Sequence, residues 1–218
     1  MKHIVKKIGL GLSAAVIATS AQAVDLTKFY AGASYLAEVN HDDRLAKPAG
    51  NNTPFTGDQK DEGFGLFLGY QINKNFGVEL SYKDLGESQN NLTYNDGKLA
   101  KETTERQHGS VNIVASMDVA NNVKIFGKLG YGATYAESSG TDANTESAHV
   151  TGTANTIRES ESKEGANYGV GIQYNINKFF VRAEYELLPE VGSANLTNGK
   201  GTAPSEPEVY SISIGTSF

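Results

Sequence analysis

The 218-residue chain contains no cysteine and no tryptophan. Without cysteine neither a disulfide framework nor a thiolate zinc site can form, which suits an exported chain that must stay extended until it inserts. Basic residues are scarce: 19 Lys and Arg stand against 25 Asp and Glu, a formal net charge of −6. Nucleic-acid binding needs clustered cations, so no nucleic-acid partner is expected. Long hydrophobic runs are missing too. The one apolar stretch, Ile8 to Thr19, covers about 12 residues, short of the roughly 20 that a spanning helix needs. Overall hydropathy is negative. A β-barrel escapes that test, because only every second residue of a spanning strand must be apolar.

The short apolar stretch has another reading. Lys2, Lys6 and Lys7 precede it and Ala21-Gln22-Ala23 follows it. A positive start, an apolar middle and an A-x-A site make a secretory signal peptide over residues 1–23. The rival, an uncleaved anchor, lacks the length. The mature chain is expected to begin at Val24; losing three lysines and no acid takes its net charge to −9.

The rest of the chain, 24–218, reads as one domain. Its last eleven residues alternate: Tyr210, Ile212, Ile214, Thr216 and Phe218 share one face, and Val209, Ser211, Ser213, Gly215 and Ser217 the other. A period of two is a strand with one oily side. Seven earlier runs repeat the pattern. Phe29, Ala31, Ala33 and Tyr35 share one face of the first. Phe64, Leu66, Leu68 and Tyr70 lie opposite Gly65, Phe67, Gly69 and Gln71, and Phe76, Val78, Leu80 and Tyr82 opposite Gly77, Glu79, Ser81 and Lys83. Val111, Ile113, Ala115 and Met117 alternate with Ser110, Asn112, Val114 and Ser116. Val123, Ile125, Leu129 and Tyr131 alternate with Lys124, Phe126, Lys128 and Gly130. Tyr168, Val170, Ile172 and Tyr174 face away from Gly169, Gly171 and Gln173. Phe179, Val181, Ala183, Tyr185 and Leu187 face away from Phe180, Arg182, Glu184 and Glu186. Eight is even, so both chain ends lie on one side of the sheet.

The connections alternate in length. Ile72–Asn75, Val119–Asn122 and Asn175–Lys178 are short and Asn-rich, whereas 37–62, 85–107, 136–165 and 188–207 are long and polar. Short periplasmic turns and long extracellular loops are the pattern of an outer-membrane barrel. The fold class is therefore all-β, an eight-stranded antiparallel up-and-down transmembrane barrel. A soluble lipocalin-type barrel matches the strand count, but it would put Glu79, Lys128, Arg182 and Glu184 outside. Aromatic residues at strand ends, Tyr30, Tyr35, Phe64, Tyr70, Phe76, Tyr82, Tyr131, Tyr174, Phe179, Tyr185, Tyr210 and Phe218, read as interface belts.

An internal repeat points to the lumen. Tyr70–Tyr82 aligns with Tyr174–Tyr185, with one residue deleted, so that Phe76 matches Phe179 and Glu79 matches Arg182. These strands are four apart among eight and face each other across the barrel, so an ion pair spanning the lumen is expected. Lys124, Lys128, Glu184 and Glu186 share the inward face and extend the candidate network. An eight-stranded barrel is only wide enough for side chains to fill it, so a wide aqueous pore is not expected. Two readings stay open: charges that simply fill a polar core, or an exchangeable gate for ions.

The stretch Gly63–Tyr82, with Val111–Met117, Gly127–Tyr131, Tyr168–Tyr174 and Val181–Tyr185, resembles the barrel of the outer membrane protein A family, over most of residues 28–218. The resemblance implies that Glu79 and Arg182 occupy the family's lumenal gate pair and that Lys128 and Glu184 match further lumenal charges. Ser116 and Gln173 stand where the family has a Lys and its alternative Glu partner. That departure implies a permanent Glu79–Arg182 plug. The periplasmic peptidoglycan-binding domain of many relatives is not expected here, nor is a cell-wall tether.

No catalytic, cofactor or metal site is expected. His3 lies in the signal, His41 and His149 in long connections, and His108 at the start of the fourth strand with Ser110 nearby. A Ser–His pair without an orienting carboxylate is not a triad. The acidic connection 136–165, with Glu137, Asp142, Glu146, Glu159, Glu161 and Glu164, reads as a solvated face. The expected role is structural or surface-exposed, with at most a narrow ion-conducting lumen. Its alternatives are an adhesin or recognition protein acting through the long loops and, third, a lipid-modifying enzyme. Expected partners are outer-membrane lipid and lipopolysaccharide, an extracellular ligand at the loops, and the barrel-assembly machinery through the strand ending in Phe218. The chain is expected to be a monomer of the bacterial outer membrane.

Overall fold

The structure is a computed structural model and describes residues 25–39, 55–57, 60–93, 99–142, 155–189, 191–192, 204–205 and 207–218. The expected signal peptide and its cleavage site lie outside the described residues, as do His41, Glu146 and His149. Eight strands make the body: β1 (Phe29–Val39), β2 (Lys60–Gln71), β3 (Phe76–Thr93), β4 (Leu99–Ala120), β5 (Val123–Asp142), β6 (Asn155–Ile176), β7 (Phe179–Leu187) and β8 (Glu208–Ser217). Each pairs antiparallel with its chain neighbours, and β1 pairs with β8 from Tyr30–Ser217 to Val39–Glu208, which closes the barrel. Closure leaves no open edge at membrane depth, where unpaired backbone groups would cost several kcal/mol each. A short strand, Phe55–Gly57, adds to the outer part of β3, and Val191–Gly192 pairs with Pro204–Ser205.

Within the apolar band the inward and outward faces of all eight strands follow the period-two pattern, whereas beyond it stretches such as Ser160–Glu164 are exposed throughout. Leu66, Ile113, Val170 and Ile212 lie on the outside, 55, 58, 60 and 64% exposed. Glu79, the polar neighbour of exposed Leu80, is at 0% inside. Apolar outside and charged inside is the reverse of a soluble barrel, and it is the arrangement that acyl chains stabilise.

The turns at one end need special backbone. Asn122 and Asn177 adopt positive φ, 65° and 56°, a region that Asn enters more easily than most side chains. In the first turn the Asn73 Oδ1 accepts the backbone N–H groups of Asn75 (2.9 Å) and Phe76 (3.0 Å), a local bond that fixes the reversal.

At the other end the structure differs from the expectation of long irregular loops. Much of 85–107 and 136–165 is strand: β3 runs on to Thr93 against β4 from Leu99, and β5 to Asp142 against β6 from Asn155. Beyond the bilayer the outward side chains no longer have to be apolar, so the alternation fades while the backbone ladder continues. β4 has 22 residues. At about 3.3 Å per residue and a tilt near 40°, it rises about 55 Å, roughly twice the ~25 Å apolar band. A bulge between Asp84 and Gly86 marks the transition. Gly86 takes φ 88° and donates its N–H to Asp84 Oδ1 at 3.2 Å, and Leu85 is turned into the core.

Candidate functional site: a closed lumen

The lumen is filled in layers. Near the turns four rings point inward: Tyr30 from β1, Phe67 from β2, Phe126 from β5 and Phe180 from β7. Each lies directly across from a glycine on the adjacent strand, Tyr30 from Gly69, Phe67 from Gly32, Phe126 from Gly171 and Phe180 from Gly215. A Cβ at any of these glycines would run into the facing ring. The Arg182 guanidinium sits among the rings, its Cζ 4.6 Å from the centre of Phe126, 5.0 Å from Phe67, 5.2 Å from Phe180 and 5.6 Å from Tyr30. A desolvated cation over a ring face gains about 2 kcal/mol. Tyr30, read from the sequence as an interface aromatic, belongs instead to this lumenal layer, because its position on β1 has the inward parity.

Directly above lies a neutral tetrad of charges. Arg182 Nη1 donates to Glu79 Oε2 at 2.8 Å, and its Nε and Nη2 donate to Gln173 Oε1 at 3.1 and 2.9 Å. Lys128 Nζ bridges Glu79 Oε1 (2.5 Å) and Glu184 Oε2 (2.8 Å), and the Tyr30 hydroxyl donates to Glu79 Oε2 at 3.0 Å. All four charged residues are buried. Two cations and two anions cancel, and cancellation is what makes buried charge tolerable. Gln173 holds the guanidinium as a neutral acceptor.

Glu186 extends the network beyond the tetrad, hydrogen-bonded through its side chain to Glu184. It pairs with Lys83 at 2.5 Å and accepts from Asn167 Nδ2 at 3.1 Å; the same Nδ2 donates to Asn112 Oδ1 at 2.7 Å. Lys124, also expected in the network, stands apart from it. Its parity is inward but its height is wrong: it follows the turn directly, is 29% exposed and lies 3.9 Å from Asp118. It lines a vestibule of about 150 Å³ with Gln71, Ser116, Gln173 and Arg182.

Sequence reasoning missed a further layer toward the strand extensions. Arg106 Nη1 meets Glu38 Oε1 at 3.1 Å, and His108 Nδ1 is 2.9 Å from Thr134 Oγ1. His108 is fully buried within β4, not at its start near the interface. Leu36, Leu85, Leu188 and Val209 form an apolar cluster beside these pairs, and Leu188 N–H donates to Pro207 O at 3.1 Å where the chain turns inward. The signal was present: Thr104, Arg106 and His108 continue the inward parity of Ser110 and Asn112.

Comparison with known proteins agrees with this geometry. Residues 8–218 match the outer membrane protein beta-barrel domain family. The chain is 26% identical over 215 residues to outer membrane protein A of Serratia marcescens, covering 97% of this chain. It spans about half the length of that relative, 55%. The fold is similar to OprG from Pseudomonas aeruginosa, with a TM-score of 0.56 at 16% identity over 89% of this chain and 99% of that one. It is also similar to Ail of Yersinia pestis in complex with the heparin analogue sucrose octasulfate, with a TM-score of 0.52 at 18% identity over 87% and 97% of the two chains. The oily exterior, the closed ladder and the family match lead to one statement: this chain belongs to the outer membrane protein beta-barrel domain family, as an eight-stranded barrel of the outer membrane protein A type.

Proposed function

We propose that the protein is a sealed barrel of the outer membrane, with a structural or surface-exposed role and a lumen that does not pass ions. The observation that carries this reading is the Glu79–Lys128–Glu184–Arg182 tetrad, closed below by four rings and above by the Lys83–Glu186 and Arg106–Glu38 pairs. An ion would have to displace several buried partners in series, and leaving even one buried charge alone costs about 3–5 kcal/mol. The Glu79–Arg182 contact acts as a permanent plug because the other acceptor that Arg182 donates to, Gln173, carries no charge to compete for it. The chain is exported by residues 1–23 and matures at Val24. It is assembled through the strand ending in Phe218 and stands as a monomer among lipid and lipopolysaccharide. Planar-bilayer recording of the parent protein tests the seal. The expected trace is flat, and discrete ion-sized openings in the parent would overturn the reading.

A second reading, recognition at the cell surface, is supported by the paired strand extensions of β3 to β6, which stand well clear of the apolar band. The similar Ail is by its name an attachment and invasion protein. Replacing residues 135–162 by Asn-Gly joins Thr134 to Lys163, which are already paired. On this reading the shortened protein still folds, by its heat-modifiable gel shift, but cells displaying it no longer adhere. Unchanged adhesion would remove the reading.

A further inference from the structure

The short turns repeat a chemical pattern with an unequal distribution of charge. Ile72-Asn73-Lys74-Asn75-Phe76 joins β2 to β3, and Ile176-Asn177-Lys178-Phe179 joins β6 to β7. In each, an exposed lysine stands between an exposed isoleucine (Ile72 52%, Ile176 49%) and an exposed phenylalanine (Phe76 50%, Phe179 66%). Tyr70 and Tyr174, one residue pair further along the outward face, complete an aromatic rim; Tyr70 stacks edge-on against Phe29 at 5.0 Å. Because strands pair in chain order, these two turns lie on opposite sides of the barrel.

The other cations at this end are engaged. Lys28 is 4.0 Å from Asp25 and Lys124 is 3.9 Å from Asp118. Lys74 and Lys178 have no carboxylate partner among the described residues. The middle turn, Asn121–Asn122 between Val119 and Val123, has no lysine at its tip, and Lys124 lines the vestibule. Two of three turns therefore present an apolar foot, an aromatic shoulder and a free ammonium at the level where lipid headgroups begin.

We propose that the Lys74 and Lys178 turns are a pair of opposed docking points for the phosphate of an anionic phospholipid, phosphatidylglycerol, in the periplasmic leaflet. The inference rests on the membrane placement argued above. Ile72, Phe76, Ile176 and Phe179 are continuous with the lipid-facing belt, so acyl chains already lie against them. A phosphate at the next level outward from the bilayer centre is the complementary charge to an unpaired lysine, and basic residues at a membrane surface favour anionic lipid. A zwitterionic lipid offers the same phosphate together with its own cation, so the turns discriminate between the two.

The test uses the full mature chain inserted in phosphatidylcholine bilayers. Spin-labelled phosphatidylglycerol or phosphatidylcholine is added at low fraction, and the motionally restricted component is read by electron paramagnetic resonance. The parent is expected to prefer phosphatidylglycerol, with roughly five-fold selectivity at each lysine site, reduced by salt. Lys74→Gln/Lys178→Gln should bring the preference close to parity, while Lys124→Gln should leave it unchanged. No preference in the parent, or an equal preference in the double variant, would overturn the docking points while leaving the barrel intact. A chain that shows no heat-modifiable shift in these bilayers has not inserted, and that outcome overturns the membrane placement together with the inference.

Discussion

Replacing Lys128 by methionine removes the cation that touches both carboxylates of the tetrad, while the thioether chain keeps most of the volume. Glu79 retains Arg182 at 2.8 Å and Tyr30 at 3.0 Å, but Glu184 loses its 2.8 Å partner. Three buried carboxylates, Glu79, Glu184 and the Glu186 bonded to it, then face two cations, Arg182 and Lys83. At an effective dielectric constant near 20, unit charges 2.8 Å apart attract by about 6 kcal/mol before desolvation is counted. Removing one member of a buried pair costs about 3–5 kcal/mol in measured cases. Lys128→Met is therefore expected to lower stability by that amount. Adding Glu184→Gln restores neutrality, with Glu79 and Arg182 left as a matched pair, and should recover most of the loss. The assay is urea unfolding in lipid vesicles, followed by the fraction of the compact, heat-modifiable gel band, since the chain has no tryptophan to report by fluorescence. The two single variants and the double variant form a cycle whose coupling is expected to exceed 1 kcal/mol. A Lys128→Met cost below about 1 kcal/mol, or a double variant as unstable as the two losses added together, would refute the compensated-charge argument.

Two other expectations rest on different features. Gly69→Val places its side chain where the Tyr30 ring lies, so the variant should lose the heat-modifiable band or unfold at clearly lower urea, whereas Gly127→Val, whose Cβ faces only Gly169 O at 3.8 Å, should fold as the parent does. Asn122→Ala puts a plain side chain at φ 65° and should cost about 1–2 kcal/mol in the same unfolding assay, with Asn122→Gly restoring or exceeding parent stability.

The barrel was legible because lipid imposes a binary rule at every second position, and the rule is local. Leu66, Leu68, Val78 and Leu80 can be read as outward without knowing what pairs with what. The opposition of Glu79 and Arg182 was legible because the repeat supplied a ruler from the turn. What needed register was not legible. The glycine opposite each lumenal ring is visible only once Gly32 is known to face Phe67 and Gly215 to face Phe180. Arg106 and His108 were hidden because their outward neighbours above the bilayer are free to be polar, which erases the alternation that defines a strand. Lys124 shows the opposite error: its face was right, but its place along the axis was not. Parity fixes a side chain's direction and leaves its height to the turn and the strand tilt.

The arrangement of faces can be measured at one adjacent pair of residues, because a cysteine-free chain accepts single cysteines cleanly. Leu80 is 42% exposed and Ser81 is 4% exposed, one residue along β3. Leu80→Cys carrying a fluorophore should be quenched by mid-depth brominated lipid, while Ser81→Cys should resist a water-soluble thiol reagent from both sides until the barrel is unfolded. Rapid labelling of folded Ser81→Cys, or a Leu80 probe untouched by the brominated lipid, would contradict a sealed lumen inside a lipid-facing wall.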